Sequence, residues 1–352
     1  MRKYMLIFIA ACFYFSGLVK LARWRIQRGA NSGQYLILLN YHCATGGDLR
    51  QHMLYLRRHY RLLHLEAALE ELYTPRKNEL YRRDKHTPLV LTFDDGYRDN
   101  YTHSFALARE LQIPITIFLI PGYVESGDYF WWIEHKRLIH FTQMKDIALS
   151  GHTYHLDQLD ERLTLSREID KQLRFASSVS EREAFLKAIR KKLAVPSSAV
   201  LNLETTLSLT WTEIQEMEKS GWVSFGAHTQ HHPILAYLAD PTELYQEVAN
   251  CRKIIEQHLG HPVRTFAYPV GQMQHIGDNV LQSVKDAGYQ WAMTTQYGFN
   301  TPQSDPYLLR RIEVDVSQHW LVLAAEAAGL WGWFSRMRWI PFIRKYFTNA
   351  ST

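Results

Sequence analysis

Two short clusters in the chain bring together side chains able to hold a cation and move a proton. The first is Leu91-Thr92-Phe93-Asp94-Asp95-Gly96-Tyr97, an apolar run that ends in paired carboxylates and a glycine. Adjacent carboxylates repel, so such a pair needs a nearby cation or a proton. The second is His228-Thr229-Gln230-His231-His232. His228 and His232 are four apart, which sets two imidazoles on one side of a helical turn, a spacing able to chelate a metal. Each cluster has an ordinary explanation as well. The first also reads as a strand end whose Asp caps the next helix, and the second sits in a chain with 17 histidines. Taken together they describe one carboxylate and two imidazoles around an open-sided metal, with the second carboxylate placed as base toward an attacking water.

That chemistry requires two segments more than 130 residues apart to meet, so the fold must deliver strand ends to one place. Short β-rich runs recur at Tyr35–Tyr41, Leu89–Phe93, Ile115–Ile120, Trp222–Ala227, Thr265–Tyr268, Tyr289–Thr294 and Leu309–Val316. Helical patterns lie between them at Arg98–Leu111, Thr210–Ser220, Thr242–Leu259 and Asp278–Ala287, each closed by Gly or Pro. This alternation predicts an α/β fold, a distorted (β/α) barrel of about seven parallel strands whose C-terminal ends share one face. An open doubly wound sheet is the runner-up, but no Gly-x-Gly-x-x-Gly follows any strand. About a hundred residues separate Ile120 from Trp222, where one helix would suffice, so residues 129–207 are expected to form a helical insertion, with Ser166–Leu193 as its amphipathic helix. Trp131-Trp132 at its start reads either as a sugar-stacking platform or as buried aromatics.

The chain resembles the polysaccharide deacetylase family, carbohydrate esterase family 4 with its NodB-homology domain. Thr92-Phe93-Asp94-Asp95-Gly96 matches the family's first motif, and His228 to His232 its His-[Ser/Thr]-x-x-His second. Arg264-Thr265-Phe266-Ala267-Tyr268-Pro269-Val270-Gly271 resembles the third in its Phe-Ala-Tyr-Pro-x-Gly form, and Tyr41-His42 resembles the opening of the branch that deacetylates poly-N-acetylglucosamine. The resemblance implies Asp94 as general base, Asp95, His228 and His232 as ligands of a divalent metal, usually zinc, and the Tyr268 N–H as an oxyanion donor. Ala267 stands where many members carry the Arg that positions the base; Arg264 and Arg311 are the candidate replacements, and Arg264 is the one adopted. The family's late Leu-x-x-His is not recognisable, and His42 is the candidate general acid. His231 is expected to be exposed rather than catalytic.

Composition agrees with a folded enzyme, at 46% hydrophobic and 21% charged residues. The net charge of +5 is carried by the ends. Arg2, Lys3, Lys20, Arg23, Arg25 and Arg28 fall in residues 1–28, and Arg336, Arg338, Arg344 and Lys345 in the aromatic tail 327–352, with no acid in either segment. The body, 29–326, is mildly acidic, which argues against a nucleic-acid partner and for basic ends that meet membrane lipid. Met5–Val19 is 15 uncharged residues, short for a span, and reads as an uncleaved membrane anchor, a cleaved signal or a buried helix. The family resemblance favours an extracytoplasmic body, and the cations after residue 19 favour a cytoplasmic one. Cys12, Cys43 and Cys251 permit one disulfide at most, between the last two.

The reading that results is a metal-dependent hydrolase removing N-acetyl or other N-acyl groups from amino sugars of a polysaccharide or lipid-linked glycan. Two alternatives stay open at this level. One is an inactive glycan-binding scaffold of the same fold; the other is a 2-His-1-carboxylate iron oxygenase. The adjacency of Asp94 and Asp95 argues against a glycosidase built on them, because its carboxylates must flank the scissile bond from about 5 Å apart or more.

Overall fold

The computed structural model describes residues 2–28, 35–74, 86–196, 199 and 204–330. The chain's aromatic basic tail from residue 331 onward lies outside the described residues. Ten strands are formed among the described residues: β1 (Ile37–Tyr41), β2 (Arg61–Leu62), β3 (Pro88–Phe93), β4 (Ile115–Leu119), β5 (Asp146–Leu149), β6 (His152–His155), β7 (Val223–Ala227), β8 (Thr265–Ala267), β9 (Trp291–Met293) and β10 (Ile312–Glu313). Seven of them run parallel in the order β10-β1-β3-β4-β7-β8-β9, and β2 adds to β3. A parallel bridge from Met293 to Leu309, just ahead of β10, joins the two ends of that path into a distorted (β/α) barrel. All seven expected strands are present. The two-residue β2 carries too little pattern to read in advance.

The strands are apolar on both faces because helices cover one side and the barrel interior fills the other. Helix boundaries follow local chemistry. Thr210 and Glu213 form a reciprocal capping box at Trp211–Lys219, Asp240 with Pro241 opens Pro241–Leu259, and Gly260 ends that helix in a left-handed conformation. The helix expected over Arg98–Leu111 departs from regularity, beginning as a π-helical turn at Asn100–Phe105 before Ala106–Leu111 continues as α-helix. That widened turn directs Asp99 and Asn100 toward the loop after β1.

The insertion is not wholly helical. It holds the helix Trp131–Phe141, then the antiparallel hairpin β5–β6, then two helices, Leu159–Arg174 and Val179–Lys192, where one amphipathic helix was expected. Ser178 stops the run by capping the second helix through the Glu181 N–H, at 3.0 Å. These elements share a core of their own around Phe130, Leu138, Leu165, Ile169, Leu186 and Ile189, each worth about 1.5–3 kcal/mol of burial. The three cysteines are free thiols.

Candidate active site

Register places the chemistry. Tyr41 pairs with Phe93, and Leu119 with Ala227. His42, Asp94 and His228 therefore leave the barrel at one level, and the ladder continues past the strand ends through Asp94 N–H to the Tyr41 carbonyl and His228 N–H to the Leu119 carbonyl, both 2.9 Å. The loop carrying His42 is tied down by the buried Asp99, whose carboxylate accepts the Ala44 N–H at 2.7 Å and the Thr45 N–H at 2.9 Å.

Asp95, His228 and His232 converge. Asp95 Oδ1 lies 3.4 Å from His228 Nε2 and 3.5 Å from His232 Nε2. It is buried and makes no hydrogen bond among the described residues. Ligand atoms bound tetrahedrally at about 2.0–2.2 Å from a zinc ion stand about 3.3–3.6 Å from one another. The donor set, its spacing and its orphaned carboxylate oxygen all fit a divalent metal. His228 Nδ1 sits 2.7 Å from the Ala267 carbonyl, which fixes the ring so that Nε2 faces the site. Burial and the neighbouring charges act differently on the two rings. Burial drives His232 down to about 3, keeping it neutral as a ligand must be. His228 is also buried, yet Asp95 and Asp94 raise it above its ordinary value. Backbone strain gathers at the same place: Asp95 at φ 71°, Thr229 at φ 64° and His232 at φ 57° are left-handed without being glycine.

Asp94 faces a different partner. Arg311 is fully buried and clamps it bidentately, at 2.7 Å to Oδ1 and 2.8 Å to Oδ2. The guanidinium is itself held by Asn40 Oδ1 at 2.9 Å and the Thr294 carbonyl at 3.0 Å. Burial alone would raise Asp94; Arg311 outweighs it, helped by His228 and His42, and holds the carboxyl well below the usual range. Arg264, adopted for this role from sequence, is elsewhere. It stands ahead of β8, at the opposite end of the strand from the site, and pairs with Glu66 and Glu70. Proximity to the third motif favoured Arg264, whereas the barrel closure brings Arg311 across 217 residues to Asp94.

Tyr268 is corrected as well. Its N–H, expected to serve an oxyanion, donates to the Met293 carbonyl at 3.1 Å within the sheet, and its hydroxyl donates to Tyr307 O at 3.0 Å. Pro269 has no N–H. The first main-chain donor past β8 without a partner among the described residues is Val270, at φ 60°. His42 lies close enough to lower both Asp94 and Asp95, and it lines a cleft of about 450 Å³ with Glu313, Asp315 and Gln318.

Of the residues around the site, the sequence marks Trp131, Trp132 and His231 but gives no sign of Arg182. Trp131 is buried and donates from Nε1 to the His232 carbonyl at 3.1 Å, so it is no sugar platform. Trp132, half-buried, stacks on Phe130 and packs against the His232 ring at 4.5 Å, with Nε1 2.7 Å from the Tyr97 hydroxyl. From the insertion's last helix, Arg182 donates to the His231 carbonyl at 2.9 Å and the His232 carbonyl at 3.3 Å. It is only 2% exposed although it sits in a helix full of solvated cations. His231, with its ring partly exposed, lies 2.6 Å from Glu247, whose other oxygen accepts the His231 N–H. Gly122 lets the chain pass this loop, since a Cβ there would lie 2.5 Å from the Gln230 carbonyl.

Comparison with known proteins agrees with this geometry. The sequence profile of polysaccharide deacetylase matches residues 82–197 and 188–292, together more than half of the chain. The Bacillus subtilis protein YxkH, which carries the polysaccharide deacetylase name, is 21% identical over 282 residues, covering 79% of this chain and 70% of its own. Among solved structures, IcaB of Ammonifex degensii aligns with TM-score 0.53 at 19% identity, over 84% of this chain and 98% of its own. The Streptococcus pyogenes deacetylase PplD, solved with acetate, aligns with TM-score 0.54 at 16% identity, over 84% and 99%. These two likenesses are of fold, and the sequence profile carries the family: the chain belongs to the polysaccharide deacetylases.

Proposed function

We propose that the chain removes N-acetyl groups from amino sugars of a glycan, with a divalent metal, most simply zinc, held by Asp95, His228 and His232. The observation that carries this reading is the buried, unpartnered Asp95 Oδ1 between two imidazole Nε2 atoms, beside a second carboxylate that is held ionised. A metal bound there would polarise the acetyl carbonyl and acidify water. Asp94 takes the proton of the attacking water, with Arg311 fixing its orientation and charge. The Val270 N–H donates to the developing oxyanion, and His42 returns a proton to the departing amine. Glu313, Asp315 and Gln318 along the His42 cleft suit sugar hydroxyls and the ammonium of a deacetylated neighbour. The inactive-scaffold reading drew on the missing base-positioning Arg and the missing late His; Arg311 supplies the first and His42 is the candidate for the second.

The test is acetate release from N-acetylglucosamine polymers and from a lipid-linked N-acetylated saccharide, before and after chelation. Activity should vanish on treatment with a chelator and return with zinc, because three protein ligands define the site. Chelator-resistant hydrolysis would remove the metal from the mechanism. The substrate panel separates polymer from lipid-linked glycan.

A second expectation concerns the insertion. Arg182→Gln should weaken zinc binding by about 10- to 100-fold, the usual effect of losing a group that orients a ligand, and Arg182→Lys should recover part of it. Titration calorimetry with zinc reads this directly. A variant that melts earlier but binds zinc normally would confine Arg182 to packing.

A further inference from the structure

The N-terminal segment folds as two helices, Arg2–Phe15 and Leu18–Arg28, bent by 67° at Gly17. Neither is long and apolar enough to cross a membrane alone. At 1.5 Å per residue, fourteen residues reach about 21 Å, against a hydrocarbon core of about 30 Å. The first helix is also committed on one side. Ile7, Ala10, Ala11 and Tyr14, spaced along one stripe, pack on Leu321, Val322 and Trp320 of the helix Trp320–Ala327. Withdrawing it into a bilayer would expose Leu321 and Val322 of that helix.

The opposite stripe is the informative one. Tyr4, Met5, Phe8 and Phe15 are exposed on the first helix, and Leu18, Leu21 and Trp24 on the second. Six cations and no acid accompany them in residues 1–28. Beneath the elbow lies a cleft of about 540 Å³ walled by Tyr14, Tyr55, Arg58, His59 and Trp320. Three buried polar atoms nearby have no hydrogen-bond partner among the described residues: Arg23 Nε and the hydroxyls of Tyr55 and Tyr60. Orphaned donors beside cations mark a place built for an anion. Burial, then Arg23 and Arg58, push His59 down to about 4, so that ring stays neutral beside them.

We propose that this elbow is a docking surface for an anionic lipid bilayer, lying in the interface with its outer apolar stripe among the acyl chains and a lipid phosphate taken by Arg23 and Arg58. The two helices reach spanning length only if taken together across a 67° bend, and their exposed apolar face, flanking cations and that bend suit a pair lying in the interface. Charge complementarity selects anionic lipid over zwitterionic.

Full-length protein should sediment with vesicles containing phosphatidylglycerol and little with pure phosphatidylcholine, and salt near 1 M should release it. Arg23→Gln and Arg58→Gln should each weaken vesicle binding roughly fivefold. The triple variant Phe8→Ser, Phe15→Ser, Leu21→Ser should abolish it, with melting temperature and zinc content unchanged, since those side chains face outward. Equal binding to both vesicle types, or retention of wild type and triple variant alike in alkaline-washed membranes, would overturn the proposal in favour of a span. So would thermal stabilisation by inorganic phosphate without vesicle binding, which would make the cleft a free-anion site.

Discussion

Asp94→Asn should leave zinc bound and slow acetyl hydrolysis by about 10²- to 10⁴-fold, the loss typical of removing a general base. The amide still accepts one of the Arg311 hydrogen bonds but cannot take a proton from water. Asp95→Asn or His228→Ala should behave differently, losing metal and activity together, because each removes one of three ligand atoms clustered within 4.8 Å. Metal analysis of purified variants beside their acetate-release rates separates the two roles. If Asp94→Asn lost its zinc while Asp95→Asn kept it, base and ligand would have to be exchanged.

Arg311→Gln should be the most damaging single change to the scaffold. The guanidinium is fully buried and its loss strands Asp94, itself 2% exposed, without its cation. Breaking a buried pair from one side destabilises by about 3–5 kcal/mol. The pH dependence should change with it. In the native protein the Asp94 pKa is depressed, so its stabilising contribution is complete above the ordinary carboxylate value and is lost only as pH falls through the lower folded value. Without Arg311 burial dominates and the pKa rises, so the acid limb of hydrolysis should move to higher pH. The Asp94 contribution to stability should reverse, favouring folding at low pH and being lost as pH rises through the raised value. Melting and activity profiles taken from neutral pH downward would show it. An unshifted acid limb in a folded variant would mean that Arg311 does not set the Asp94 charge.

The parts of this protein that were legible in advance are those governed by short-range pattern. Seven strands follow from β-rich runs bounded by Gly and Pro, and the convergence of Asp95, His228 and His232 follows from Asp-Asp-Gly and His-x-x-x-His at strand ends. The failures have a common physical source, contact across long sequence separation. Arg311 rather than Arg264 meets Asp94 because the barrel closes near Leu309, an event no local window encodes. The Tyr268 N–H is consumed by a neighbouring strand, which depends on pairing of β8 with β9. Arg182 is one of many cations in an amphipathic helix, and only packing singles it out by burial. The hairpin β5–β6 escaped notice because its strands are four residues each and lie amid strongly helical sequence.

The tie between the insertion and His232 also bears on how the protein is made. Trp131 and Arg182 grip the His232 carbonyl from 101 and 50 residues earlier in the chain. Synthesis from the N-terminus thus delivers the gripping side chains well before the His232 loop they hold. The insertion is therefore synthesised before β7, and the left-handed turn at His232 has partners already made when it emerges. His228 waits longer still, because the carbonyl that orients its ring belongs to Ala267. A nascent chain halted at residue 260 would carry Asp95, His228 and His232 and still lack the acceptor that turns His228 toward the other two.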